Sequence, residues 1–289
     1  MTAHSARRLL VVCGASGTVG RRVAGMLSEH HTVRSLSRDP ARAGAREVAG
    51  EPMATDFADR RSVARALEGA DTVLIITSDP THPEHDEHLV TAAQRQGVRR
   101  LVKLSALAVE DPHAQDFLTN WQRGCEDLVR ASGLEWTLLR ARAFMSNTLA
   151  WTASVREEDT VRALYGSARN ACVDPGDVAQ VAARAMTEPG HAGRSYALTG
   201  PEPLSAREQT RQLASLLGRP LRFEELTIEE AMDAWRAKYP EVMVRAMADS
   251  AKRQSAGAKQ QTAGDVQEIL GRPARGYRSW ASAHVRCFR

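Results

Sequence analysis

Short β-branched runs alternate with amphipathic segments through the first half of the chain. Leu9–Cys13, Thr32–Leu36, Thr72–Ile76, Leu101–Leu104 and Thr137–Leu139 are apolar and too short for helices, so they predict strands. Between them, Val19, Val23 and Leu27 recur every four residues, as do Val63 with Leu67 and Leu89 with Ala93. Each set predicts a helix with one apolar face against a sheet. The alternation predicts an α/β fold, a Rossmann-type doubly wound parallel sheet with helices on both faces.

The second half changes character. Asp177 with Gln180, Ser205 with Glu208 and Thr227 with Glu230 have capping-box form or open a helical pattern. Ser195–Thr199 reads as a short strand before a Gly200-Pro201 turn, and the polar stretch 250–264 predicts a linker or a sparsely buried helix. The expected layout is a sheet domain over 1–150 and a smaller, mostly helical substrate region over 151–289, packed on the sheet's carboxyl edge.

With 289 residues the chain is long enough to build its core without staples. The 39 Lys and Arg are offset by 35 Asp and Glu, a net charge of +4 spread along the chain, so no nucleic-acid partner is expected. Cys13, Cys125, Cys172 and Cys287 form no C-x-x-C pair, so neither zinc nor a disulfide framework is predicted. No apolar run reaches the length of a signal-peptide core or a membrane span, and a soluble, cytoplasmic protein is expected.

The chemistry begins at Gly14-Ala-Ser-Gly-Thr-Val-Gly20. This loop follows a strand and enters a helix, the context in which a glycine loop accepts a dinucleotide pyrophosphate at a helix N-terminus. The second strand ends in Leu36-Ser-Arg-Asp-Pro40. Arg38 suits a ribose 2′-phosphate, so NADPH is the expected cofactor, with Asp39 the counterweight because an acidic residue there suits NADH. The expected cofactor set is Gly14, Ser16, Gly17, Thr18, Val19, Gly20, Ser37, Arg38, Asp56, Phe57, Thr77, Ser78 and Gln122; Asp56 serves equally well as a helix cap.

Together with Leu101-Val-Lys-Leu-Ser105, Trp121-Gln-Arg-Gly-Cys-Glu126, Ser132–Thr137, Phe144–Asn147 and Tyr196–Glu202, the loop makes the whole chain resemble the NmrA-like atypical short-chain dehydrogenases/reductases. The resemblance implies a Rossmann fold, NADP binding and a variable C-terminal substrate region. It also exposes departures. Ser105 fits the family's serine, but the expected tyrosine and lysine fall at Leu118 and Gln122, and Ala141 replaces the usual proline. Loss of a positioned general acid costs on the order of 10² to 10⁴ in rate.

Three readings follow: a ketoreductase whose phenol-bearing substrate, a polycyclic aromatic polyketide of the kind found in antibiotic biosynthesis, handles its own proton; an NADP(H)-sensing regulator; or a cofactor-dependent isomerase or epimerase. The first is favoured, with Ser105 the catalytic candidate and Trp121, Phe144 and Met145 either lining an apolar substrate site or belonging to the core. Tyr165 and Tyr196 are substitutes for the missing acid, and Asp174 and Asp177 a candidate acid and base. His82, His85 and His88 suit a metal by spacing, but Pro83 favours a solvated helix start, and no metal is expected.

Overall fold

The structure, a computed structural model, describes residues 8–38 and 49–289. In chain order its regular elements are β1 (Leu9–Cys13), α1 (Thr18–Ser28), β2 (Thr32–Ser37), β3 (Glu51–Ala54), α2 (Arg60–Ala66), β4 (Thr72–Ile75), α3 (Glu84–Arg95), β5 (Arg100–Ala106), α4 (Phe117–Arg130) and β6 (Glu135–Ala141). There follow α5 (Thr152–Glu158), β7 (Thr160–Leu164), β8 (Arg169–Asn170), α6 (Pro175–Thr187), β9 (Arg194–Leu198), β10 (Leu204–Ser205), α7 (Ala206–Leu217), β11 (Arg222–Leu226), α8 (Ile228–Arg236), α9 (Glu241–Ser255), α10 (Asp265–Leu270) and α11 (Tyr277–Ala283). Among the described residues no helix is long and apolar enough to cross a membrane.

The chain divides into two compact units, and it passes between them more than once. Among the described residues the first comprises 8–38, 49–106, 121–140 and 178–196; the second comprises 107–120, 141–177 and 197–289. The expected single cut at residue 150 is therefore replaced by interleaved segments.

The first unit is built on a seven-stranded sheet in the order β3-β2-β1-β4-β5-β6-β9. The pairings β2–β3, β1–β2, β1–β4 and β4–β5 are parallel. In β1, Leu10, Val11, Val12 and Cys13 are all fully buried, because a central parallel strand is covered on both faces. Val63 and Leu67 at α2, with Leu89 and Ala93 of α3, join Val11, Cys13, Val73 and Ile75 in one apolar core. This is the Rossmann-type fold that the periodicity predicts. Its strand order reverses between β1 and β4, and ligands in such sheets bind beside that reversal.

The second unit holds two small sheets, a parallel β7–β11 pair and an antiparallel β8–β10 pair. Ser205 with Glu208 and Thr227 with Glu230 form reciprocal capping boxes at α7 and α8, as their spacing predicts. The third expected start is displaced. α6 opens at Pro175, whose missing N–H costs nothing there, and the Asp174 carboxylate accepts from the Gly176 N–H. Asp177 is instead buried, taking Arg272 at 2.7 Å and the Arg275 N–H at 2.7 Å. The start of the polar stretch 250–264 belongs to α9.

Candidate active site

The glycine loop has the form a dinucleotide needs. Gly14 has φ +68°, and a Cβ there would lie 2.7 Å from the Ile76 carbonyl oxygen. A Cβ on Gly20 would overlap the Gly14 carbonyl, so the glycine lets α1 close onto β1. The Ala15 N–H, 3.1 Å from the Leu36 carbonyl, ties the loop to β2. α1 has neither a side-chain cap nor an acidic residue in its first turn, which leaves its N–H groups and partial positive charge to an anion.

Gly14, Ser16, Gly17, Ser37, Arg38, Phe57, Thr77 and Ser78 line a single cleft in the first unit. Thr18, Val19 and Gly20 form the first turn of α1 beside it. Arg38 is exposed at the end of β2, while Asp39 lies outside the described residues. Asp56 is engaged locally: its carboxylate accepts from the Ala58 N–H, and Asp59 caps α2. Sequence reasoning missed Ile76, Asp79 and His85 on the same wall. Their position just after β4 was a signal, because the loop beyond the switch-point strand must face the ligand.

Beneath Thr77 lies a network that no local sequence pattern singles out. Lys103 of β5 and Asp86 of α3 are both fully buried, with Nζ 2.9 Å from Asp86 Oδ1. Lys103 donates to Thr77 Oγ1 at 2.8 Å, and Thr77 donates to Asp86 Oδ2 at 2.7 Å. The Thr77 hydroxyl is thereby held in one orientation. Lys103 also stands 5.6 Å over the Trp121 ring.

Ser105 is not a free hydroxyl. It donates to Glu126 Oε1 at 2.7 Å, and Arg140 and Arg130 hold Oε2 of the same carboxylate at 2.7 and 2.6 Å. Burial alone would raise the Glu126 carboxyl, but the Arg140 and Ser105 hydrogen bonds reverse this and hold it below the usual glutamate range. On α4, Trp121 Nε1 and Gln122 Oε1 are buried without hydrogen-bond partners, and neither residue lines the cleft.

The other candidates resolve into structure. Met145 is 2% exposed and packs with Tyr277 and Trp280 in the core of the second unit, the core alternative of its two expected places. Phe144 is half-buried and bridges to Val173. Asp174 and Asp177 are committed to the start of α6 and to arginines, so neither is a free acid or base. Tyr196 bonds His191 Nδ1 at 2.9 Å, and Tyr165 occupies a tight turn at φ +46°. His82, Glu84 and His85 bring ligand atoms within 4.8 Å of one another, whereas His88 turns inward and bonds the Phe57 carbonyl at 2.9 Å.

A family described as NAD(P)H-binding matches residues 14–189, more than half the chain and all of the glycine loop. The chain belongs to the NAD(P)H-binding family. Over 280 residues it is 51% identical to the (4-alkanoyl-5-oxo-2,5-dihydrofuran-3-yl)methyl phosphate reductase of Streptomyces griseus, covering 97% of this chain and 99% of that one. It is 30% identical over 284 residues to the NAD(P)H azoreductase of Xenophilus azovorans, with 97% and 99% covered. The NADPH complex of the Escherichia coli quinone oxidoreductase shares the fold with a TM-score of 0.82 at 22% identity, covering 96% and 99%. This member of the NAD(P)H-binding family is an NAD(P)H-dependent reductase.

Proposed function

We propose that this reductase saturates the ring double bond of an acylated butenolide phosphate, using NADPH. One observation carries the reading: the chain has no proton donor where classical short-chain dehydrogenases/reductases keep one. Leu118 and Gln122 stand at the tyrosine and lysine positions, and the Ser105 proton is committed to Glu126. A substrate that needs no donor fits such a site.

The Streptomyces griseus relative is named for one. In its ring the double bond joins C3 and C4, and C4 is conjugated to both the lactone carbonyl and the alkanoyl carbonyl. NADPH, when bound, would supply the hydride. Addition at C3 moves the double-bond pair onto C4 as an enolate shared by two carbonyls. That enolate is a far weaker base than an alkoxide, so solvent can deliver the C4 proton afterwards. The chain's own work is then positioning, which carries much of a hydride transfer.

Residues of the first unit suit the cofactor. The Gly14–Gly20 loop and the first turn of α1 would hold the pyrophosphate, and Arg38 a 2′-phosphate. Thr77, fixed by Lys103 and Asp86, offers an oriented oxygen on the same wall. An aromatic polyketide ketone, the sequence-based expectation, would leave a hard alkoxide and so needs an internal phenol to replace the missing tyrosine.

The test is NADPH oxidation with three acceptors: an acylated butenolide phosphate, a polycyclic ketone bearing a neighbouring phenol, and a simple ketone. Turnover of the butenolide supports the proposal. Turnover restricted to the phenolic ketone returns the reading to polyketide reduction.

A further inference from the structure

The second unit contains a cavity of about 440 Å³ whose wall includes Arg142, Thr199, Glu110, Asp111 and the loop 257–263. Arg142 follows β6 and reaches the cavity half-buried. Its Nε is buried and meets no hydrogen-bond partner, an expensive state for a guanidinium. Thr199 is fully buried, and its Oγ1 accepts from the Ala263 N–H at 2.9 Å, which aims its own proton away from that loop amide.

The surrounding charges are largely spoken for. Arg253 pairs with Asp116 at 2.7 Å and stands 3.7 Å from Asp111, so Asp111 has a cation beside it already. Lys259, on the same loop, donates to Ser250 Oγ at 2.7 Å. Burial, with Arg253 and Arg142 nearby, brings its ammonium down to about 8. Glu110 and Asp111 are the carboxylates that Arg142 feels, and the Asp111 charge is offset by Arg253. A ligand must therefore offer the fork of Arg142 strong, closely spaced acceptors.

We infer that Arg142 and Thr199 bind a phosphate monoester group in this cavity, the group carried by the substrate. The inference rests on the butenolide phosphate reading for its substrate, but the site itself is testable apart from it.

Two measurements decide it. In the first, protein saturated with NADP⁺, so that the dinucleotide site is filled, is titrated with inorganic phosphate and with methyl phosphate by calorimetry. Binding that falls about 30-fold in Arg142→Gln, with unchanged melting temperature and NADPH affinity, supports the site. Wild-type protein that binds neither probe, or an Arg142→Gln protein that binds them equally well, overturns it. Thr199→Val is the second variant, so an Arg142 variant that fails to fold does not end the test.

In the second measurement, KM is compared for the butenolide phosphate and its dephosphorylated alcohol. Arg142→Gln should raise KM for the phosphate ester alone; an equal rise for both overturns the proposal. Wild-type protein that reduces neither compound yet binds methyl phosphate through Arg142 sinks the butenolide reading and upholds the phosphate site.

Discussion

Ser105 Oγ lies 2.7 Å from Glu126 Oε1, and it is the donor of that pair. Arg140 closes on the same carboxylate with two hydrogen bonds, and Arg130 adds a third from one turn further along α4. Ser105 is thus part of an ion-pair cluster. Its replacement by alanine should therefore change kcat only slightly, by less than about 3-fold; on the proposed butenolide reading the substrate's carbonyls, not this hydroxyl, would stabilise the enolate. Steady-state kinetics of Ser105→Ala check this, and a loss in the range of a missing general acid would make Ser105 catalytic after all.

The same cluster sets a pH dependence. A carboxyl held below its ordinary value of 4.5 binds its proton more weakly in the folded than in the unfolded chain. The stability it contributes is present above the unfolded value and is lost as pH falls through the lower, folded one. Melting temperature should drop as pH is taken from 6 to 3, and Glu126→Gln should flatten part of that drop. The variant should cost about 2 kcal/mol at neutral pH. An identical pH profile in the variant would show that Glu126 does not set it.

For Arg38→Ala, the dissociation constant for NADPH should rise by roughly 30-fold, as for loss of a charged bidentate contact, while NADH binding changes little. Fluorescence titration with both cofactors reads this directly. Equal losses would sink the 2′-phosphate assignment.

Lys103 and Asp86 are a buried ion pair, 2.9 Å apart. Lys103→Met leaves an uncompensated carboxylate and should cost about 3 to 5 kcal/mol by denaturant unfolding. Replacing both residues with apolar ones of similar size should recover most of that loss. If the single variant is as stable as the parent, the pair is not closed as described.

Thiol reactivity should follow burial. Cys287 is exposed and should label at once, whereas Cys13 and Cys125 are buried, with the Cys125 thiol pushed up by desolvation to about 12. Native labelling of Cys13 or Cys125 as fast as that of Cys287 would contradict the packing of β1 and α4.

The sheet and the glycine loop were legible because their signals are local. Four-residue spacing in α1, a β-branched β1 and glycines at 14, 17 and 20 each follow from short-range geometry. Two of the three helix starts were legible for the same reason, and the third was misplaced because Pro175 competes with Asp177 for the first turn. What escaped was the long-range pairing. Nothing in the spacing of Asp86 and Lys103, or of Ser105 and Glu126, announces that each pair meets. The burial of Met145 and the exposure of Arg142 to a cavity likewise depend on residues far away in sequence, Tyr277 and Trp280 for one and the loop 257–263 for the other.

Hydride addition to an activated double bond, with no acid from the protein, leaves its record in the position of the transferred hydrogen. The acylated butenolide phosphate is reduced with NADPH deuterated at the transferring position, and the product is read by NMR. Deuterium at ring C3, with the C4 hydrogen drawn from solvent, is the expected result. Deuterium on a carbinol carbon, with the ring double bond intact, would show ketone reduction and contradict addition to the ring.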